Sequence, residues 1–234
     1  MPTDDPRSID LNADLGEEVT DDAGLLRVVT SANVACGFHA GNTEIMRAVC
    51  AEAAARAVAV GAQVSYRDRA NFGRVAHDVP ADLLRDEVAE QVDLLAGIAA
   101  SEGVRVSYVK PHGALYHRVT DDEEQAAAVL AGSGDLAVLG FPGSRLLSLA
   151  AEAGRSTYDE GFPDRGYERG RLIDRGRPGA LLEDVESIAA QAVALAPAVA
   201  SLCVHGDSGD AVAHAHAVRR ALEDAGYRLA AFAG

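Results

Sequence analysis

Short apolar segments alternate with longer amphipathic ones along almost the whole chain, and this alternation limits the possible folds more than any other feature of the sequence. Seven β-strands are predicted, at 8–13, 31–36, 58–64, 104–110, 136–140, 155–160 and 201–206. Helices are predicted where apolar residues recur at helical spacing, at 42–57, 81–101, 121–131, 144–153, 184–196 and 209–225. Parallel strands need crossover connections, which helices provide, so the pattern predicts a parallel sheet.

The sheet is predicted to close, or nearly close, into an α/β barrel of about seven strands. No Gly-x-Gly-x-x-Gly segment opens a helix and no Walker loop is present, so nothing favours an open nucleotide-binding sheet. No linker or change of composition divides the chain, which predicts one domain over residues 1–234. The longest irregular segments, 65–80 and 161–180, follow strands and would lie at the carboxyl-terminal face of a barrel, where active sites form.

The composition argues against several classes of partner and location. A formal net charge of −15 would repel nucleic acid and anionic membrane surfaces. The three cysteines, Cys36, Cys50 and Cys203, are widely spaced and suggest neither a disulfide framework nor a zinc knuckle. No signal peptide is recognised at 1–10, and Pro197 interrupts the most apolar stretch. We therefore expect a cytoplasmic protein that binds neither nucleic acid nor membrane.

Five predicted strands end in polar or charged residues next to glycine. In a barrel these ends meet at one mouth, where glycine allows tight turns or close approach to a ligand. Asn12 and Asp14 are two residues apart and so point to the same side of the first strand. The other polar residues in or just beyond these strand ends are Asn33, His39, Gln63, Lys110, His112, His205 and Asp207. All four asparagines of the chain lie in or beside these segments, although turn preference alone would also place them there.

Lys110 is the only lysine among 21 lysine and arginine residues. Its compact ammonium can lose its charge when buried, hold a developing anion or give up a proton, which a guanidinium does less readily. A lysine at a strand end can also be salt-bridged or extend along the surface to water. The solitary use of lysine favours a functional role.

Three histidines follow three predicted strands and are candidates for acid–base or ligand roles. They are His39, His112 and His205, and structural hydrogen bonding is the alternative for each. Asp14 and Asp207 could orient these imidazoles, accept a proton or bind a cation.

Other polar or reactive residues near the predicted site are less specific. Arg69 and Arg74 could clamp a carboxylate from the loop at 65–80, although solvated loop arginines fit the sequence as well. Cys36 and Cys203 are interpreted as small strand side chains rather than nucleophiles.

Seven segments resemble, in order and spacing, the motifs of the LamB/YcsF family, and the resemblance covers almost the whole chain. They read DLNADLGE at 10–17, VTSANVACGFHAGN at 29–42, GAQVSYRDRANFGR at 61–74, YVKPHGALY at 108–116, GSRLLSLAAEAG at 143–154, DRGY at 164–167 and CVHGD at 203–207. The resemblance implies a (β/α) barrel related to polysaccharide-deacetylase-like folds.

The family's characterised members are A subunits of bacterial 5-oxoprolinases, so the resemblance also implies a reaction. The lactam of 5-oxo-L-proline is cleaved to L-glutamate with consumption of ATP, together with partner subunits B and C. This chain has no phosphate-binding motif, which agrees with ATP being handled by the partners. One hypothesis is that B and C phosphorylate the lactam oxygen and that this chain opens the ring.

Ring opening needs a base for water, a cation for the oxyanion and an acid for the leaving amine. On this hypothesis Asp14 or His39 is the base, Lys110 contacts the oxyanion or phosphate, and His112 is the acid. The residues predicted to bind substrate are Asn12, Asn33, Gln63, Tyr66, Arg69, Arg74, His205 and Asp207.

One motif departs from the family pattern. Gln63 stands where the family typically has His, and Arg67 where it has Pro. Related deacetylase-like barrels bind a metal through one Asp and two His, and an amide oxygen is a weak ligand for zinc. A divalent metal is therefore left open, with Asp14 and His39 as its candidate ligands, and Gln63 could mark a relative with another substrate.

Two other functions stay open on the sequence. A stand-alone metal-dependent amidohydrolase or deacetylase would act on another lactam or acylated sugar and would bind a divalent metal tightly. A noncatalytic subunit would hold the lactam, or an activated form of it, for the partners. The noncatalytic subunit would be indicated if the chain bound the ligand without turnover and if this binding survived replacement of Lys110 and His112 by alanine.

Overall fold

The predicted strands form a closed parallel barrel. The computed structural model describes residues 7–19, 21–206 and 209–233. The barrel strands are β1 (Arg7–Leu15), β2 (Ser31–Ala35), β3 (Ala59–Val64), β4 (Val106–Pro111), β5 (Ala137–Gly140), β6 (Thr157–Gly161) and β9 (Ser201–Val204). Each pairs in parallel with the next, and β1 pairs with both β2 and β9, which closes the ring. The predicted (β/α) barrel is confirmed.

Three short strands were not predicted. β7 (Tyr167–Glu168) and β8 (Arg171–Leu172) form an antiparallel hairpin within the segment 161–180. β10 (Tyr227–Leu229) pairs in parallel with the first residues of β1. Segments of two or three residues are too short to show the alternation that identifies a strand.

Helices connect the strands, as predicted. They are α1 (Asp22–Leu25), α2 (Thr43–Arg56), α3 (Ala81–Ser101), α4 (Gly113–Asp121), α5 (Glu123–Gly132), α6 (Arg145–Glu152), α7 (Val185–Leu195) and α8 (Ala211–Asp224). The helix predicted at 121–131 is confirmed by α5, which begins two residues later, whereas α1 and α4 were not predicted. Asp122 has an extended backbone, and its carboxylate accepts a hydrogen bond from the amide of Gln125, so it ends α4 and caps α5. Within the described ranges, no helix has the length and apolar character needed to cross a bilayer.

The two faces of β1 show how the sequence divides the core. Leu11, Ala13 and Leu15 join the main hydrophobic core together with residues of the helices. The alternate residues face the barrel interior, where their polar groups bond to other strands; these are Asp10, Asn12 and Asp14. The inside of this barrel is therefore lined by a polar network, while the hydrophobic core lies between the strands and the helices.

Gly61 on β3 makes room for the largest side chain inside the barrel. A Cβ atom at this position would lie 2.1 Å from Cε2 of the fully buried Tyr108 ring. The Tyr108 hydroxyl donates to Asn33 Oδ1 at 2.7 Å, and its ring packs on Phe232 at 4.8 Å between centroids. The barrel interior is thus filled below the strand ends, and a cavity opens at the carboxyl-terminal mouth.

Asp10 is a buried carboxyl group near the amino-terminal end of the barrel. It accepts hydrogen bonds from the hydroxyls of Thr30 and Ser31, both at 2.6 Å, and from Ser201. Burial raises the pKa of Asp10 from its ordinary value of 3.8 to about 6, although these hydrogen bonds oppose the change. The folded carboxyl group therefore holds its proton more tightly than the unfolded one.

We expect this titration to make the protein less stable as the pH rises from about 4 to 6. Between these values the folded state carries more protons, so the free energy of unfolding should fall by about 3 kcal/mol and then stay constant as far as Asp10 is concerned. Urea unfolding of the wild type and of Asp10→Asn across this range measures the difference. Parallel stability curves for the two proteins would contradict the expectation, because the amide of the variant cannot ionise while the three hydroxyls can still bond to it.

Candidate active site

A cavity of about 330 Å³ opens at the carboxyl-terminal ends of the barrel strands. Its floor includes Asp14 from β1 and Lys110 from β4, and its walls include His112, Phe162 and His205, which follow β4, β6 and β9. Both long irregular segments contribute, through Arg74 from 65–80 and through Arg165, Leu172, Asp174, Arg175 and Gly176 from 161–180. Of the five polar strand ends that the sequence indicated, those of β1, β4 and β9 line the cavity, whereas Asn33, His39 and Gln63 from β2 and β3 do not.

Lys110 is buried at the floor of this cavity, with only 3% of its side chain exposed. Its Nζ atom donates to Asp14 Oδ1 at 3.0 Å, and lies 2.8 Å from Glu160 Oε1 and 3.2 Å from Cys203 Sγ. Burial alone would lower the pKa of Lys110, but Asp14 and the other acidic neighbours raise it well above its ordinary value. Lys110 is therefore a fixed cation that a bulkier guanidinium would not replace.

The two carboxyl groups that face Lys110 differ in their protonation. Burial would raise the pKa of Asp14, but Lys110, His205 and His112 lower it below its ordinary range. Burial raises the pKa of Glu160, and Lys110 only partly opposes this change. Asp14 is therefore the ionised partner of Lys110, whereas Glu160 can hold a proton.

Glu17, His39 and His112 form a buried cluster beside this centre. Their nearest ligand atoms all lie within 4.8 Å of one another. The rings of His39 and His112 are stacked with centroids 4.0 Å apart, and Glu17 Oε1 lies 3.7 Å from His39 Nε2 and 3.4 Å from His112 Nδ1. Gly73 closes the loop over the two rings, because a Cβ there would lie 3.0 Å from His39 Cβ.

The cluster has the donor types of a zinc site, one carboxylate and two imidazoles. Gln63, however, projects into it from β3. Its Nε2 atom donates to Glu17 Oε1 at 2.9 Å and lies 2.9 Å from His112 Nδ1. A cation would need the lone pairs of Glu17 Oε1 and His112 Nδ1, which the Gln63 amide already occupies. The residues as arranged therefore do not fit a resident divalent metal. The metal ligands predicted from the sequence were Asp14 and His39; Asp14 is instead paired with Lys110.

His112 was predicted to be the acid, but both of its ring nitrogens are engaged. Nε2 lies 3.2 Å from the carbonyl oxygen of Phe72, and Nδ1 faces Gln63. Burial and the neighbouring His39 lower the pKa of His112 well below its ordinary value, although Asp14 opposes the change. His112 is therefore a neutral ring that is poorly suited to donate a proton.

His205 forms a dyad with Asp164 on the opposite wall. The backbone N–H of His205 donates to Asp164 Oδ2 at 2.8 Å, and Nδ1 lies 3.0 Å from both carboxylate oxygens. Although burial raises the pKa of Asp164, His205 lowers it below its ordinary value. Because a carboxylate only accepts, Nδ1 carries the hydrogen, and Nε2 is the ring atom that can exchange a proton.

Several residues predicted to bind substrate lie away from the cavity. Asn12 and Asn33 bond to each other at 2.6 Å inside the barrel. The Tyr66 hydroxyl donates to Gln125 at 3.0 Å, and Arg69 binds Glu18 and the carbonyl oxygen of Gly41, which ties two loops together. Strand-end position alone does not distinguish a side chain that lines the mouth from one that supports it. Asp207 lies outside the described residues.

Three acidic residues of the site were missed in the sequence. Glu17, Glu160 and Asp164 are buried against His39, Lys110 and His205 respectively. Glu17 and Asp164 lie inside motifs that were noted as a whole, and Glu160 ends a predicted strand. A search for acidic residues one to four positions beyond or at each strand end would have found them. The thiols of Cys36 and Cys203 are buried with a raised pKa, which agrees with their interpretation as small strand side chains.

The fold is that of a polysaccharide-deacetylase-like (β/α) barrel, and polar groups lie at its carboxyl-terminal mouth. The CE4 domain of a multidomain xylanase from the hindgut metagenome of Trinervitermes trinervoides shares this fold with a TM-score of 0.54 and 14% identity. The alignment covers 96% of this chain and 87% of that domain.

The model of the LamB/YcsF family matches residues 9–234, and the chain belongs to this family. It is 52% identical over 249 residues to the A subunit of 5-oxoprolinase from Streptomyces griseus, covering 96% of this chain and 100% of that one. The crystal structure of a lactam utilization protein from Thermus thermophilus superimposes with a TM-score of 0.89 and 33% identity, covering 96% and 100%. The resemblance seen in the motifs is confirmed.

Proposed function

We propose that this chain is the ring-opening subunit of a cytoplasmic, ATP-dependent 5-oxoprolinase that forms L-glutamate from 5-oxo-L-proline with partner subunits B and C. The names of its relatives support a lactam substrate and a multi-subunit enzyme. The observation that carries the proposal is the single lysine, which is held as a cation at the floor of the cavity at the barrel mouth.

The charges around the cavity suit an anionic lactam. Four formal cations line it, against two carboxylates, although the chain as a whole carries a net charge of −15; the cations are Arg74, Lys110, Arg165 and Arg175, and the acids are Asp14 and Asp174. Glu17, Glu160 and Asp164 lie behind this lining, so the arginines of the wall, rather than a net positive charge of the site, would bind the anion. The carboxylate of 5-oxoproline, or a phosphate that the partners add to its lactam oxygen, supplies such an anion.

Lys110 and the Asp164–His205 dyad divide the chemistry of hydrolysis. The partners place the phosphoryl group of ATP on the lactam oxygen, and attack of water on the lactam carbon then builds negative charge at this oxygen, which the Lys110 ammonium stabilises. His205 takes the proton from the attacking water and gives it to the ring nitrogen as the C–N bond breaks, and a second water hydrolyses the resulting acyl phosphate to L-glutamate and inorganic phosphate. Asp164 holds the imidazole in the required tautomer. This assignment replaces His112 as the acid, because Gln63 contacts its Nδ1 atom. It also replaces Asp14 and His39 as the base, because Asp14 is paired with Lys110 and His39 is buried.

The test is glutamate formation from 5-oxo-L-proline and ATP by this chain together with purified B and C subunits. We expect glutamate only when all three subunits and ATP are present, and an unchanged rate for His216→Ala, an exposed position on α8. Glutamate from the chain alone without ATP would indicate the stand-alone amidohydrolase instead. Glutamate from B and C without this chain would indicate a noncatalytic subunit.

A further inference from the structure

The structure assigns to Gln63 the position that a metal ion would take in the Glu17–His39–His112 cluster: its amide group bridges Glu17 and His112, and the site works without a resident divalent cation. Gln63 is a positioning residue in this account, because it acts through the groups that it orients. The inference concerns metal content and tautomer, so it stands independently of the proposed substrate.

The hydrogen-bond network decides which way the Gln63 amide faces. The carbonyl oxygen of Phe72 can only accept, so His112 Nε2, 3.2 Å away, must carry the ring hydrogen. In a neutral imidazole Nδ1 is then an acceptor. Glu17 Oε1 is a second acceptor 2.9 Å from the same Gln63 atom. An atom that lies 2.9 Å from each of two acceptors must be the amide nitrogen, whose two hydrogens serve one acceptor each.

The reverse orientation is unfavourable unless a cation is added. Turning the amide would place its oxygen against Glu17 Oε1 and His112 Nδ1, so three acceptors would meet in a site where Glu17, Gln63 and His112 are all buried. The backbone of Gln63 is fixed between β2 and β4, in register with Ala35 and Lys110, so the side chain cannot withdraw as a loop residue could. A metal would therefore have to displace two hydrogen bonds to gain a weak amide-oxygen ligand.

His39 shows what the cluster would need to become a metal site. Both of its ring nitrogens are buried and have no hydrogen-bond partner among the described residues. His39 could bind a cation without breaking a hydrogen bond if residue 63 supplied a lone pair in place of an N–H group. A histidine at position 63 would do this, since its lone pair would join those of Glu17 and His39.

Cobalt titration of the full-length chain tests the inference without any activity assay. As purified, the wild type should contain no stoichiometric zinc by elemental analysis, and after treatment with a chelator added Co²⁺ should give no visible d–d absorption from a bound ion. Gln63→His should acquire about one equivalent of Co²⁺ with the absorption of a tetrahedral site. Adding His39→Ala to this variant should remove the absorption, which shows that the new site lies in the cluster.

The His112 tautomer provides a second readout in the wild type. ¹⁵N NMR of the histidine rings, assigned with His112→Asn, should show a protonated Nε2 and a hydrogen-bonded, unprotonated Nδ1. Stoichiometric Co²⁺ or Zn²⁺ in the wild type that is lost in His39→Ala would overturn the inference, and so would a His112 ring protonated on Nδ1.

Discussion

Replacing Lys110 with methionine should lower the rate of glutamate formation by about 10²–10³-fold in the assembled enzyme. Methionine has a similar length but carries no charge, so the lactam oxygen would lose the cation that stabilises it. Lys110→Arg should fail to a similar degree, because the guanidinium cannot occupy the space between Asp14 and Glu160, which Nζ approaches to 3.0 and 2.8 Å. Initial rates with saturating partner subunits measure both effects.

Lys110→Met should also destabilise the protein. Removing Lys110 leaves Asp14 and Glu160 buried without their cation, which costs about 3–5 kcal/mol in comparable buried pairs. Chemical denaturation of Lys110→Met measures this loss. Arg47→Met is the matched control, since Arg47 forms a surface ion pair with Glu102, and such pairs contribute less than about 1 kcal/mol. A Lys110→Met variant that keeps both its stability and its activity would contradict the account.

Asp164→Asn should lower kcat by about 10³–10⁴-fold, with a smaller effect on KM. The asparagine amide can donate to His205 Nδ1, which would hold the ring in the wrong tautomer for proton transfer through Nε2. His205→Gln should have an effect of similar size because it removes the group that transfers the proton.

The double variant separates a catalytic dyad from two independent structural contacts. If Asp164 acts through His205, the combined substitution should be no worse than His205→Gln alone, since the dyad works as a unit. Additive losses in kcat would show that Asp164 acts elsewhere. Thermal unfolding of each variant, compared with the wild type, checks that the loss is not one of folding.

The barrel could be predicted from the sequence because its seven strands and most of its helices are long enough to show their own periodicity. The helix α4 at Gly113–Asp121 was not predicted, because it follows a strand end directly and spans only nine residues. Asp122, which separates α4 from α5, is an ordinary polar residue in the sequence, and its capping role depends on its backbone conformation.

The centre of the site could be predicted in part. Lys110 stood out because the chain uses no other lysine, and its position at a strand end directed it to the barrel mouth. Glu160 could not be paired with it, since the two are 50 residues apart and the contact depends on closure of the barrel. The asparagines illustrate the opposite error: Asn42 caps α2 and Asn71 binds Asp68, so turn preference explains half of that pattern.

The role of Gln63 follows from its contacts in the folded barrel and not from the sequence. From the sequence it appears as a weak ligand in place of a stronger one. In the barrel its nitrogen donates to Glu17 and faces His112, so the residue supplies two hydrogens where a metal site would need a lone pair.

The solitary lysine permits one direct test of the central claim that the lactam binds over Lys110. Labelling the protein with ¹⁵N-lysine gives one side-chain Nζ resonance, which Lys110→Arg should abolish. Titration with 5-oxo-L-proline should shift this resonance with saturation, because the ligand enters the cavity that Lys110 floors. If calorimetry shows that 5-oxo-L-proline saturates the chain while the resonance does not move, the lactam binds elsewhere and the account is wrong.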